Sequence, residues 1–97
     1  MTSQRYLVCY DICEPRRLRH VAKTLQAYGE RIQYSIFECR LSSLQFAEVQ
    51  RKLLKLIEVG EDQVLFVSLV DRDTNSQDLV IASIGVPYTK RSLVTII

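Results

Sequence analysis

With 97 residues, 47% hydrophobic and 25% charged, the chain has room for one domain that buries roughly 65% of its unfolded surface. Its 3 glycines and 2 prolines, with no repeat, low-complexity run or long linker, place no boundary within residues 1–97. A formal charge of +2 is too mild to mark a nucleic-acid binder by total charge alone, so the distribution of charge has to carry any such reading.

The N-terminal Met1-Thr2-Ser3-Gln4-Arg5 lacks the charged and apolar regions of a signal peptide. No apolar run approaches the roughly 18 residues of a membrane span, so a soluble, cytoplasmic protein without membrane contact is expected. Residues 5–10 are an almost continuous β-branched, aromatic and apolar run, which suits a strand buried on both faces. Pro15 then fits the first turn of a helix and Gly29 the residue just past its end. Between them Leu18, Val21, Ala22, Leu25 and Tyr28 recur at helical spacing, leaving Arg16, Arg19, His20 and Lys23 on the other side.

Residues 31–41 are strand-like, with Ile32, Tyr34 and Ile36 alternating against Arg31, Gln33 and Ser35. One long strand and two short ones folded at Tyr34-Ser35 fit equally, because no Gly, Asn or Pro marks a turn. Ser42 with Gln45 forms a capping-box pair, with Leu41 and Phe46 at staple spacing. A second helix is therefore expected over 43–58, with Phe46, Val49, Leu53, Leu56 and Ile57 inward and Gly60 ending it. Gln63 to Val70 reads as an apolar strand, Asp71 to Asp78 as a polar loop, Leu79 to Ile84 as a further strand and Ser92 to Ile97 as a short last one.

These elements describe one sheet with two helices on one face. Two helices cover only one face, yet the strands at 6–10 and 64–70 are apolar at nearly every position. A second copy burying the other face, in a symmetric homodimer, is the expected solution. The terminal strand at 92–97 is a candidate to pair across that dimer, since it would otherwise leave a flat apolar edge.

Asp11 is the leading candidate for chemistry, because a carboxylate where a buried strand emerges is where such sheets commonly present functional groups. A hard oxygen there can bind Mg²⁺ with water and phosphate completing the shell, and a dimer would supply a second copy. A carboxylate that caps the following helix fits the same position. Residues 15–29 carry Arg16, Arg17, Arg19 and Lys23 and no acid, which suits phosphate binding as well as a solvated helix face. Arg31 and Gln33 could extend that polar surface. His20 reads as a surface residue, and Ser35 lacks the Gly-rich elbow of an activated nucleophile. Tyr10, Tyr34 and Phe37 read as core or interface aromatics. Cys9, Cys13 and Cys39 are odd in number, without zinc or redox spacing, and read as reduced thiols in or near a core.

Tyr10-Asp11-Ile12, the arginine-rich helix ending in Tyr28-Gly29-Glu30-Arg31, the block Gln33-Tyr34-Ser35-Ile36-Phe37-Glu38-Cys39 and the later Asp62-Gln63-Val64-Leu65-Phe66-Val67-Ser68-Leu69 strand occur in one order. Together they resemble the CRISPR-associated protein 2 family, the small endonuclease-like partner of the CRISPR integrase. The resemblance implies an α+β, ferredoxin-like βαββαβ sandwich with an additional C-terminal strand, homodimeric, with 85–97 an extension pairing across the dimer. It favours splitting residues 31–41 into two strands.

It further implies that Asp11 is the catalytic, Mg²⁺- or Mn²⁺-binding aspartate at the dimer interface of an endonuclease that cleaves single-stranded RNA or double-stranded DNA during spacer acquisition. Tyr10, Arg17, Arg19, Arg31 and Phe37 match positions near that site or on the nucleic-acid path, with Arg16 beside them. A non-catalytic alternative keeps the homodimer as an adaptor that binds DNA and bridges subunits of the integrase, the CRISPR-associated protein 1 family. An RNA-recognition or small-molecule regulatory domain on the same fold has less support, because no RNP aromatic signature or ligand-binding Gly loop is present.

Overall fold

The computed structural model of the chain describes residues 3–69 and 81–89. The elements run β1 (Gln4–Asp11), α1 (Pro15–Gln26), β2 (Gly29–Gln33), β3 (Ile36–Leu41), α2 (Ser43–Leu56), β4 (Gln63–Leu69) and β5 (Ile81–Gly85). The expected polar loop at 71–78, the first residues of the strand at 79–84 and the terminal strand at 92–97 lie outside the described residues.

The five strands form one antiparallel sheet in the order β2-β3-β1-β4-β5. The first six elements are the ferredoxin-like βαββαβ arrangement, and β5 is the added strand, paired to β4 of its own chain. Residues 31–41 divide into two strands, with Tyr34 and Ser35 forming the turn. Consequently Ile32 is 51% and Tyr34 84% exposed, so neither belongs to the core that their alternation with Ile36 suggested.

Helix α1 starts as its sequence dictates, with Pro15 in the first turn and the Glu14 carboxylate accepting from the Arg17 backbone N–H at 2.8 Å. It ends earlier than Gly29 suggested, capped by Ala27 in a helical conformation. Gly29 has a different purpose: it opens β2 where a Cβ would collide with the Glu38 carbonyl and the Cys39 sulfur. Helix α2 carries the reciprocal Ser42–Gln45 capping box and stops at Leu56, with Ile57 extended, before Gly60 is reached.

Val21, Ala22 and Leu25 of α1, and Val49 and Leu53 of α2, are buried against Tyr6, Val8, Tyr10, Phe37, Cys39, Leu41, Val64 and Phe66 of the sheet. Each fully buried leucine or valine contributes about 1.5–3 kcal/mol relative to exposure. Phe46 stacks on Tyr6 with ring centroids 4.7 Å apart and meets Phe66 edge-on at 5.3 Å, locking α2 over β1 and β4. Strand alternation puts Leu7 and Cys9 of β1, Ile36 of β3, Leu65, Val67 and Leu69 of β4 and Ile81 of β5 on the face away from the helices, where all are half-buried.

Candidate metal and nucleic-acid site

Asp11 is the last residue of β1, exposed, and shares the helix-free face with Leu7 and Cys9. Of the two roles open to it, helix capping falls to Glu14. Glu14 is correspondingly held below the usual carboxylate range, chiefly by the Arg17 backbone N–H. Among the described residues Asp11 makes no side-chain hydrogen bond or ion pair, so both of its oxygens face solvent uncommitted.

The residues flanking Asp11 are held tightly. Across the ladder it pairs with Gln63, the first residue of β4. Immediately before that strand lies Asp62, with no solvent exposure. Its Oδ1 accepts from the Cys13 backbone N–H at 2.8 Å, and its Oδ2 accepts from the Glu58 backbone N–H at 2.8 Å. The Arg17 guanidinium donates Nε to Oδ2 at 2.8 Å and a terminal nitrogen to Oδ1 at 3.3 Å, and it also pairs with Glu61 at 2.9 Å. Burial pushes the Asp62 carboxyl up, but Arg17 and the two backbone donors outweigh it and hold the group below its ordinary range.

Cys13, Glu61 and Asp62 bring three ligand atoms within 4.8 Å of one another, the makings of an acidic metal site. As arranged, they do not suit a hard divalent cation. Asp62 is saturated with N–H donors, Arg17 already supplies the compensating positive charge, and sulfur is a poor ligand for Mg²⁺. The Cys13 thiol is pushed up by desolvation and then by Asp62, Asp11 and Glu61, which keeps it protonated. Asp11 is the better match: an exposed carboxylate with free oxygens, the ligand Mg²⁺ takes alongside water and phosphate oxygens.

The cations divide into two groups. Arg16 and Arg19 project from α1 without an ion pair among the described residues, whereas Arg17 is committed to Asp62 and Glu61. Arg31 on β2 is exposed and lies over the Phe37 ring, 5.4 Å from its centroid. Phe37 is buried and sits 6.1 Å from Tyr10, so both aromatics belong to the helix-side core and act on the site only by supporting β1 and Arg31. Sequence patterning missed Glu14, Glu61 and Asp62. The one available signal was the acid pair Glu61-Asp62 placed just before an apolar strand, opposite in charge to the arginine cluster after Asp11.

Residues 4–77 match the family described as CRISPR associated protein Cas2. The chain belongs to the CRISPR-associated protein 2 family. It is 39% identical over 74 residues to the CRISPR-associated endoribonuclease Cas2 3 of Synechocystis sp., covering 76% of this chain and 80% of that protein. It is 35% identical over 83 residues to the CRISPR-associated endoribonuclease Cas2 3 of Chloroflexus aurantiacus, covering 86% and 87%. Streptococcus pyogenes Cas2, solved at pH 6.5, superposes with a TM-score of 0.64 at 34% identity, over 71% of this chain and 88% of that one. The sandwich and its added strand are thus the family's fold.

Proposed function

We propose that the chain is a metal-dependent endonuclease of CRISPR adaptation, working as a homodimer on single-stranded RNA, with double-stranded DNA as a second substrate class. The observation that carries this reading is Asp11: an exposed carboxylate, unpartnered among the described residues, at the end of the central strand and on the sheet face opposite α1 and α2. Packing that face against a second copy would bury Leu7, Cys9, Leu65 and Val67 and bring two Asp11 carboxylates to one interface. Relatives named endoribonucleases support the substrate class.

Asp11 from each chain would hold Mg²⁺, or Mn²⁺ in its place. The ion supplies charge stabilisation at the scissile phosphate and a more acidic bound water. Arg16, Arg19 and Arg31, which form no ion pair among the described residues, hold neighbouring phosphates through forked bonds to phosphate oxygens. Tyr10 and Phe37 keep β1 and Arg31 in place from beneath.

A second reading keeps the dimer as an adaptor that bridges subunits of the integrase, the CRISPR-associated protein 1 family, on bound duplex. It is favoured by one observation. Among the described residues, Asp11 is the one of Asp11, Glu14, Glu61 and Asp62 without a partner, so each copy offers a metal a single free carboxylate, whereas Arg16, Arg19 and Arg31 are available to nucleic acid without a metal. Asp11→Asn, assayed separately for Mg²⁺-dependent cleavage and for spacer acquisition, divides the two. Loss of cleavage is expected; unchanged cleavage would remove Asp11 from catalysis, and acquisition that survives the loss would favour the adaptor.

A further inference from the structure

We propose that Asp62 is a positioning residue for the Asp11 site: its buried carboxylate fixes the turn after Asp11 and holds the Arg17 guanidinium away from nucleic acid. The first half rests on the reading of Asp11 given above; the second does not.

A residue at a strand's end is free to fray unless something on each side restrains it. Asp62 restrains both sides. Gln63, its immediate neighbour, is Asp11's ladder partner on β4. On the other side, the Cys13 N–H, two residues beyond Asp11, is bound at 2.8 Å to Asp62 Oδ1. The Asp62 backbone is itself anchored, because its carbonyl accepts from the Val86 N–H at 2.8 Å. Gly85 makes that approach feasible: it has a φ of +84°, and any Cβ there would run into the Asp62 carbonyl. The Glu58 N–H on Oδ2 ties the same carboxylate to the end of α2. Ordering of this kind is how a reactive group placed at an element's edge keeps a productive orientation.

Arg17 completes the arrangement and loses its freedom in doing so. Its Nε and one of its two terminal nitrogens are directed at Asp62 and Glu61, leaving its side chain 25% exposed. A guanidinium with Nε and one terminal nitrogen on carboxylates keeps only its other nitrogen for phosphate, and its charge is already compensated. Among the described residues Arg16 and Arg19, its neighbours on α1, carry no such ties. The acid pair therefore divides the three arginines of α1 into two for nucleic acid and one for the fold.

Asp62→Asn removes the charge while keeping an oxygen for the Cys13 N–H. Freed of Asp62 and left with only the exposed Glu61 as a partner, Arg17 becomes a further phosphate ligand. In the absence of divalent metal, single-stranded RNA should bind about 3- to 10-fold tighter at low salt, with the log–log salt slope steeper by about 0.7. With Mg²⁺ present, kcat should fall about tenfold or more while KM does not rise. A purely structural lesion gives another pattern, and Val49→Ala, a core truncation in α2, provides it: weaker or unchanged binding and an unchanged slope.

Arg17→Gln tests the same claim with the Asp62 carboxylate and its Cys13 and Glu58 N–H donors retained, and the folded variant should keep the RNA affinity and salt slope of the parent protein. The proposal is overturned if Asp62→Asn binds RNA no more tightly than the parent, if its cleavage keeps the parental kcat, or if Arg17→Gln weakens binding with a shallower slope. Asp11→Asn, run in parallel, separates the two failures. If cleavage survives without Asp11, the reading of that site is wrong, and the affinity measurements alone decide whether Asp62 withholds Arg17.

Discussion

Asp11 ends β1 in the open, whereas Asp62 precedes β4 with no exposure, and the two should respond differently to substitution. Asp11→Asn touches no hydrogen bond among the described residues, so stability should stay within about 0.5 kcal/mol of the parent. Mg²⁺-dependent cleavage should drop about 100-fold or more. Denaturant melts beside single-turnover rates check both halves. Asp62→Ala leaves the Cys13 and Glu58 N–H groups without acceptors inside the fold and should cost about 2–4 kcal/mol.

Asp62 also makes stability depend on acid. Its folded pKa lies below its unfolded value, so its contribution is fully present above about pH 4 and is lost as pH falls through the folded pKa. Melts between about pH 5 and pH 2 should show that loss in the parent protein and not in Asp62→Asn. Asp11 was legible in the sequence because a buried strand runs straight into it. Asp62 was not: its partners Cys13 and Arg17 lie 49 and 45 residues away, and local pattern shows only an acid in a polar turn.

The elements themselves follow from period and caps. The helical repeat marked both inward stripes, and Ser42 with Gln45 marked where α2 begins. The glycines misled because a glycine after a helical stripe has two physical uses. Gly29 was expected to end α1, yet it is required by the close approach of β2 to Glu38 and Cys39. The turn at Tyr34-Ser35 carries no turn-favouring residue, so only the family resemblance favoured splitting that segment.

Gly85 supplies a direct check on the packing of β5 against the loop before β4. Gly85→Ala meets both a positive φ and the Asp62 carbonyl, and a loss of about 3 kcal/mol is expected in equilibrium unfolding. On α1, combined Arg16→Ala and Arg19→Ala should weaken single-stranded RNA binding and reduce the salt slope by about 0.7 for each phosphate no longer neutralised, with little effect on stability. Filter-binding titrations across a salt series give both quantities. An unchanged slope would remove α1 from the nucleic-acid surface.

At the scale of the whole molecule, the helix-free face is the one assigned to the proposed homodimer. Leu65 and Val67 lie on it beside Leu7, and Val67→Asp should shift the proposed dimer toward monomer at micromolar concentration while the helix-side core stays intact. Sedimentation reads the mass and circular dichroism the fold. Thiol labelling reports the same event residue by residue. Burial pushes Cys39 up to about 11 and also raises Cys9. Cys39 should stay unlabelled, and Cys9 should label faster as dilution uncovers its face.

The central claim is that the working unit contains two Asp11 carboxylates, one from each copy, and a mixing series tests it most directly. Parent protein and Asp11→Asn are combined at constant total concentration, allowed to exchange subunits, and assayed for Mg²⁺-dependent RNA cleavage. If both carboxylates are needed, activity follows the square of the parental fraction and an equal mixture retains about one quarter of the parental rate. A linear decline, with about one half remaining in the equal mixture, would show that each copy cleaves independently and would contradict the shared site.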